Sequence, residues 1–254
     1  MIKKIFLIAM ATSFSMTLLA QAKPEETEYY KPVPPIVKPG GQNNGAPSDA
    51  IILFDGKDLN QWTLNKDTTK EADWTVANNI ITVSKTSGDI QTKKRFMDYQ
   101  LHIEYRIPAN ITGSGQARGN SGIFLASFPQ GAGGYELQVL DNYNNTTYVN
   151  GQAGSIYKQS PPLVNPCLPP GEWQKYDVVW TAPRFNDDGS LKSPGRATVF
   201  LNGVLVQNNF ELKGDTPYIG KPEYHKHGAS PIKLQAHGDK SEPISYRNIW
   251  VRAL

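Results

Sequence analysis

The chain has 254 residues, 39% of them hydrophobic and 19% charged, with 26 Lys+Arg against 23 Asp+Glu and a formal charge of +3. That is the profile of one medium-sized globular domain with an ordinary core, and it lacks the basic surplus that a nucleic-acid partner requires. The 22 Gly and 19 Pro make the chain turn-rich and argue against coiled coils and helical bundles, while a single cysteine, Cys167, leaves no internal disulfide to form.

In chain order, Lys3 and Lys4 precede an apolar run from Ile5 to Leu19 that ends in Ala20-Gln21-Ala22. The pattern predicts a secretory signal peptide over residues 1–22 with an A-x-A cleavage site. The run is shorter than the ~20 apolar residues that span a bilayer, and no second run follows, so no membrane span is expected. No cysteine stands near the cleavage point to carry a lipid anchor, which predicts a periplasmic or secreted product. Residues 23–49 contain Pro24, Pro32, Pro34, Pro35, Pro39 and Pro47 with Gly40-Gly41, and read as an extended Pro-rich linker or arm without chemistry of its own.

Residues 50–254 alternate short apolar runs with turn clusters, the pattern of an all-β protein. The expected architecture is a jelly-roll β-sandwich of two antiparallel curved sheets. Asn202-Gly203 between two β-type runs predicts a hairpin over residues 198–206, and Asn78-Asn79 marks another turn.

Because successive side chains in a strand point to opposite faces, parity sorts core from non-core positions. Tyr135, Leu137 and Val139 fall on one face, Glu136 and Gln138 on the other. Leu234 and Ala236 point inward, leaving Gln235 and His237 together outside. In residues 99–107 the aromatic and aliphatic set points inward and Gln100, His102, Glu104 and Arg106 outward. Amide, carboxylate and imidazole groups suit sugar hydroxyls, and the two strands that carry Glu136/Gln138 and Gln235/His237 would form one polar cleft if they were neighbours. A solvated outer sheet face is the bland alternative.

Six segments then become recognisable: Leu53-Phe-Asp-Gly-Lys-Asp-Leu-Asn-Gln-Trp62, Arg118-Gly-Asn-Ser-Gly-Ile-Phe124, Tyr135-Glu-Leu-Gln-Val-Leu-Asp141, Pro170-Gly-Glu-Trp-Gln-Lys-Tyr-Asp177, Leu234-Gln-Ala-His-Gly238 and Tyr246-Arg-Asn-Ile-Trp-Val-Arg252. Together they resemble the 3-keto-disaccharide hydrolase domain family, over the whole stretch from Ile51 to Leu254. The resemblance implies a concanavalin A-like fold with a carbohydrate site on one sheet face. It also implies a glycoside already oxidised to a ketone at C3, whose acidic C2 proton is removed so that the C1 group is eliminated and water adds back. Such chemistry needs a base, a cation or donor at the C3 oxygen, and an acid or metal at the leaving group.

His237 suits proton transfer, and Glu136 suits a base, a leaving-group acid or a metal ligand. Asn120, Gln138 and Gln235 are candidate hydroxyl binders, with Arg247 or Lys158 at the enolate and His102 and Glu104 as further site candidates. No cofactor is required by the pattern. A divalent metal ligated from Glu136, His237, His102 and Glu104 is an alternative Lewis acid, conditional on their strands adjoining. His225 and His227 read as a surface loop. Ser121 lacks a nucleophile-elbow context, and Cys167 reads as an inert thiol. The glycines at 113, 115, 119 and 122 lack a phosphate-loop ending. Two other classes compete: a non-catalytic lectin-like module on the same face, and an ordinary retaining glucanase, which the absence of a second carboxylate near Glu136 on its strand disfavours.

Overall fold

Asn78 and Asn79 have φ of 51° and 63°, and Asn202 and Gly203 have 53° and 79°, so both expected tight turns use the left-handed region that a two-residue hairpin demands. They join Thr75–Ala77 to Ile80–Thr82 and Arg196–Leu201 to Val204–Glu211. The computed structural model describes residues 23–41, 45–129 and 133–254. The expected leader lies outside the described residues. The chain forms two units, Met1–Ile36 and Val37–Leu254. In the first, Pro24–Thr27 makes one 3-10 turn and the described residues up to 36 are exposed. The second unit takes in the end of the Pro-rich stretch: Ser48 N–H donates to Lys38 O, and Arg252 Nε reaches Asp49 at 2.6 Å.

The second unit is an antiparallel β-sandwich. One sheet has eight strands in the order Val204–Glu211, Arg196–Leu201, Trp173–Thr181, Tyr99–Arg106, Ser245–Ala253, Ile80–Thr82 and Thr75–Ala77, with Ile51–Phe54 also paired to Ser245–Ala253. The other has five, in the order Trp62–Leu64, Ile90–Thr92, Lys233–Leu234, Ser121–Ser127 and Gly134–Val139. No helix among the described residues is long and apolar enough to cross a membrane.

Register explains which face of the five-stranded sheet is core. Leu64, Ile90, Leu234, Ile123 and Leu137 stand opposite one another across all five strands and are buried. They meet Leu101, Ile103, Val178 and Val199 of the larger sheet in one hydrophobic cluster. Full burial of each such side chain contributes about 1.5–3 kcal/mol. Two tyrosines join the layers with their hydroxyls satisfied: Tyr99 Oη donates to Leu125 O at 2.6 Å, and Tyr176 Oη to Gln138 O at 2.8 Å. The neighbouring row, Thr63, Gln91, Lys233, Phe124 and Glu136, is displaced by one residue and therefore faces the other way.

The third strand with an outward polar set, Tyr99–Arg106, sits in the middle of the eight-stranded sheet, apart from the strands of Glu136 and Gln235. His102 is fully buried there, stacked on Trp250 at 5.3 Å, with Nδ1 2.7 Å from Asp177. Glu104 is also buried, accepting from Arg247 Nε at 2.6 Å and Asn248 Nδ2 at 3.0 Å. These groups close on one another across a central strand, where parity alone predicted an open face.

Candidate active site

The outer face of the five-stranded sheet carries a cavity of about 370 Å³. Its edge strand supplies Glu136 and Gln138, which point away from Leu137 by parity. Opposite them, Ser121–Ser127 presents Gly122 and Phe124. A Cβ on Gly122 would lie 2.3 Å from Glu136 Oε1, so any larger residue there displaces the carboxyl from this position. Burial pushes the Glu136 carboxyl up to about 8; the Asp89 charge adds to the effect and the Lys233 ammonium opposes it. Glu136 is therefore mostly protonated at neutral pH.

Lys233, the Cα partner of Phe124, is 4% exposed, with Nζ 3.7 Å above the Phe124 ring and 3.2 Å from Asp89 Oδ2. The other Asp89 oxygen accepts the Ala236 N–H at 2.8 Å. Two residues past Lys233, the Gln235 backbone N–H donates to Gly122 O at 3.0 Å. The Gln235 Oε1 is buried and has no hydrogen-bond partner among the described residues, leaving an acceptor for a bound hydroxyl.

His237 follows at the same parity. Its Nδ1 lies 2.8 Å from Asp239 Oδ2. Burial opposes the Asp239 charge, but hydrogen bonds from Ser241, Lys85 and His237 outweigh it and hold the carboxyl below its usual range. An ionised acceptor there favours the tautomer with the proton on Nδ1, which leaves Nε2 as the acceptor nitrogen. Asn120 Nδ2 lies 3.4 Å from Nε2. Asn120 is itself locked, donating to Gln116 O at 2.8 Å and accepting from Gln138 Nε2 at 2.9 Å. An Arg118–Asp141 ion pair of 2.6 Å clamps the loop that carries it.

Glu136, His237, Asn120, Gln138 and Gln235 thus line one cavity. Lys158 stands at its rim, with φ of 58° and Nζ 4.3 Å over the ring of Tyr218, a lining residue. Arg247, His102 and Glu104 belong to the eight-stranded sheet and are not brought to this cavity; Arg247 instead covers Trp173 at 4.0 Å. The four-ligand metal set is accordingly not assembled, and among the described residues no group of three or more His, Cys, Asp or Glu is placed to hold a metal. Sequence reasoning missed Lys233 and Asp239. The first shares the parity of Gln235 and His237 and was legible; Asp239 acts through a loop that parity does not describe.

Other residues singled out in the sequence are accounted for. His227 is no free surface ligand: it packs against Phe128 and Phe185, and Tyr135 Oη lies 3.0 Å from its Nε2. Ser121 turns to the core side and meets Tyr246 Oη at 2.8 Å. Burial pushes the Cys167 thiol up to about 12, which keeps it protonated.

The model of the 3-keto-alpha-glucoside-1,2-lyase-like domain matches residues 49–252. The chain belongs to this family. A crystal structure of a candidate glycosyl hydrolase from Parabacteroides distasonis is 54% identical, covering 96% of this chain and 100% of that one, with a TM-score of 0.86. A second Parabacteroides distasonis structure, at 22% identity and a TM-score of 0.61 over 81% of this chain and 94% of that one, shares the fold. A curated 3-keto-disaccharide hydrolase of Bacteroides thetaiotaomicron is 26% identical over 157 residues, and the match spans 51% of each chain. The family stretch contains every residue lining the cavity and all of both sheets but Ala253.

Proposed function

We propose that this chain is a carbohydrate-active hydrolase that cleaves 3-keto-glycosides by elimination at C1–C2 followed by hydration. The observation that carries the reading is the pairing, in one cavity, of a carboxyl held protonated by burial, Glu136, with an imidazole oriented by a carboxylate, His237 on Asp239. One supplies a proton at neutral pH and the other accepts one, the division of labour that elimination requires.

In this reading His237 Nε2 removes the C2 proton of the oxidised ring. The C2–H electron pair forms the enolate, and the Lys233 ammonium stabilises the charge that gathers on the C3 oxygen. As the enolate collapses, the C1–O bond breaks and Glu136 gives its proton to the departing oxygen. Water then adds to the C1=C2 bond: the Glu136 carboxylate takes a proton from water, oxygen attacks C1, and the His237 imidazolium returns a proton to C2. Both groups end as they began. The unpartnered Gln235 Oε1 accepts from a ring hydroxyl.

An ordinary retaining glycosidase is disfavoured. The second carboxylate in the cavity, Asp89, is engaged by Lys233 and the Ala236 N–H, which leaves it poorly placed as a nucleophile. The deciding experiment compares a 3-keto-glucoside with its unoxidised parent, each with and without a chelator. Aglycone release from the keto substrate alone supports elimination, and chelator sensitivity would add a metal. Cleavage of the parent alone would overturn it in favour of ordinary glycoside hydrolysis; binding without cleavage of either would leave a lectin-like module. We also propose export to the periplasm or beyond through residues 1–22; N-terminal sequencing of the mature protein is expected to begin at Lys23, and an intact Met1 would refute it.

A further inference from the structure

The face that carries the Glu136 cavity holds a second cavity, of about 440 Å³. The two share one sheet surface: Gln91 lines the second, Lys233 lines the first, and the two residues are Cα partners on neighbouring strands. Neighbouring strands are ~4.8 Å apart, so the row Glu136, Phe124, Lys233, Gln91 spans about 14 Å, the distance a substituent on the unit attached to the reacting ring has to cover. The floor is built. Asn65 Nδ2 donates to Gln91 Oε1 at 2.6 Å, and both side chains are 9% exposed.

The charge of this second cavity is one-sided. Lys66, Arg95 and Lys226 line it, and no Asp or Glu does. Neither Lys66 nor Arg95 forms an ion pair among the described residues, and Lys226 Nζ donates only to a carbonyl, Asp187 O, at 2.8 Å. This departs from the neighbouring cavity, where Lys233 is matched by Asp89, and from a chain whose basic and acidic residues nearly balance. Gathering like charges around a concavity without counter-charge is unfavourable in the empty protein and raises the local concentration of anions. The planar guanidinium of Arg95 fits the paired oxygens of a carboxylate or sulfate.

We infer that this second cavity receives an anionic substituent, a carboxylate or sulfate ester, on the sugar or aglycone attached to the reacting ring, so that acidic glycosides are the favoured substrates. The placement of the reacting ring rests on the reading given under Proposed function; the anion preference of the cavity does not. Calorimetry on the full chain tests the preference directly, with glucosyl-glucose, glucosyl-glucuronic acid and glucosyl-glucose 6-sulfate as probes at low and physiological salt. The acidic probes are expected to bind about tenfold tighter than the neutral one, a gap of about 1.4 kcal/mol, and to lose that advantage as salt rises.

Lys66→Gln with Arg95→Gln, both exposed positions that leave the core untouched, is expected to bring the acidic-to-neutral ratio near one. A stronger response to the carboxylate or to the sulfate identifies which anion the cavity is built for. Equal binding of acidic and neutral probes by the wild type, or a preference that survives the double substitution, overturns the inference. The 3-keto forms of the same probes separate the two claims. If none is cleaved, the reaction reading fails while the binding ratio still judges the cavity; if all are cleaved at equal kcat/KM and bind equally, the inference fails and the reaction stands.

Discussion

Replacing Glu136 by Gln is expected to stabilise the protein while slowing the proposed cleavage. The carboxyl is pushed from its ordinary 4.5 to about 8 by burial. Between those values the unfolded chain releases its proton and the folded one keeps it, so stability falls as pH rises, by about 1.4 kcal/mol per pH unit. At pH 7 the folded state has lost about 3 kcal/mol relative to acid. Gln has nearly the same shape and nothing to ionise, so Glu136→Gln removes this loss. The residual cost of burying an amide, about 1–2 kcal/mol, reduces the net gain. Urea unfolding at pH 5, 6, 7 and 8 measures it: the variant's advantage should widen by about 1.4 kcal/mol per unit and level off above pH 8. A stability difference independent of pH would refute the burial argument. In the same variant, cleavage of a 3-keto-glycoside should drop by about 10²-fold or more.

Gly122→Ala places a Cβ 2.3 Å from Glu136 Oε1 and is expected to cost about 1–3 kcal/mol in urea unfolding along with most turnover; full activity would show that the carboxyl can sit elsewhere. Asp239→Asn removes the ionised acceptor at His237 Nδ1, and kcat should fall about 10²-fold with KM little changed, measured on a 3-keto-glycoside; an unchanged pH–rate profile would separate Asp239 from the base. On the other sheet, burial raises the Glu104 carboxyl but hydrogen bonds from His102, Asn248 and Arg247 prevail and hold it at about 2, down from 4.5. Its stabilisation is present above pH 4.5 and disappears as pH falls toward 2. Glu104→Gln should therefore lose on the order of 3 kcal/mol at pH 7 and little near pH 2; equal losses at both would contradict the charge argument.

Much of the fold was legible because its signals are local. Turn chemistry at Asn78-Asn79 and Asn202-Gly203 follows from which residues tolerate positive φ, and the alternation around Leu137 and Leu234 follows from the pleat. The same alternation placed Glu136, Gln138, Gln235 and His237 on one face, and would have added Lys233 had it been carried two residues further.

Strand order was not legible, since hydrogen bonds between strands distant in sequence depend on how the whole chain packs. Tyr99–Arg106 shows the same outward polar pattern as the cavity strands, yet pairs with Trp173–Thr181 and Ser245–Ala253 in the opposite sheet. His102, Glu104 and Arg247 consequently neutralise one another instead of joining Glu136. The sequence by itself determined the all-β class, the hairpin turns and the face on which each polar side chain lies, because those depend on neighbours one or two residues away. Tertiary structure alone decided which of those faces meet, which carboxyl is buried enough to stay protonated, and that Asp239 stands behind His237, because desolvation and charge pairing are set by groups that only the folded chain brings together.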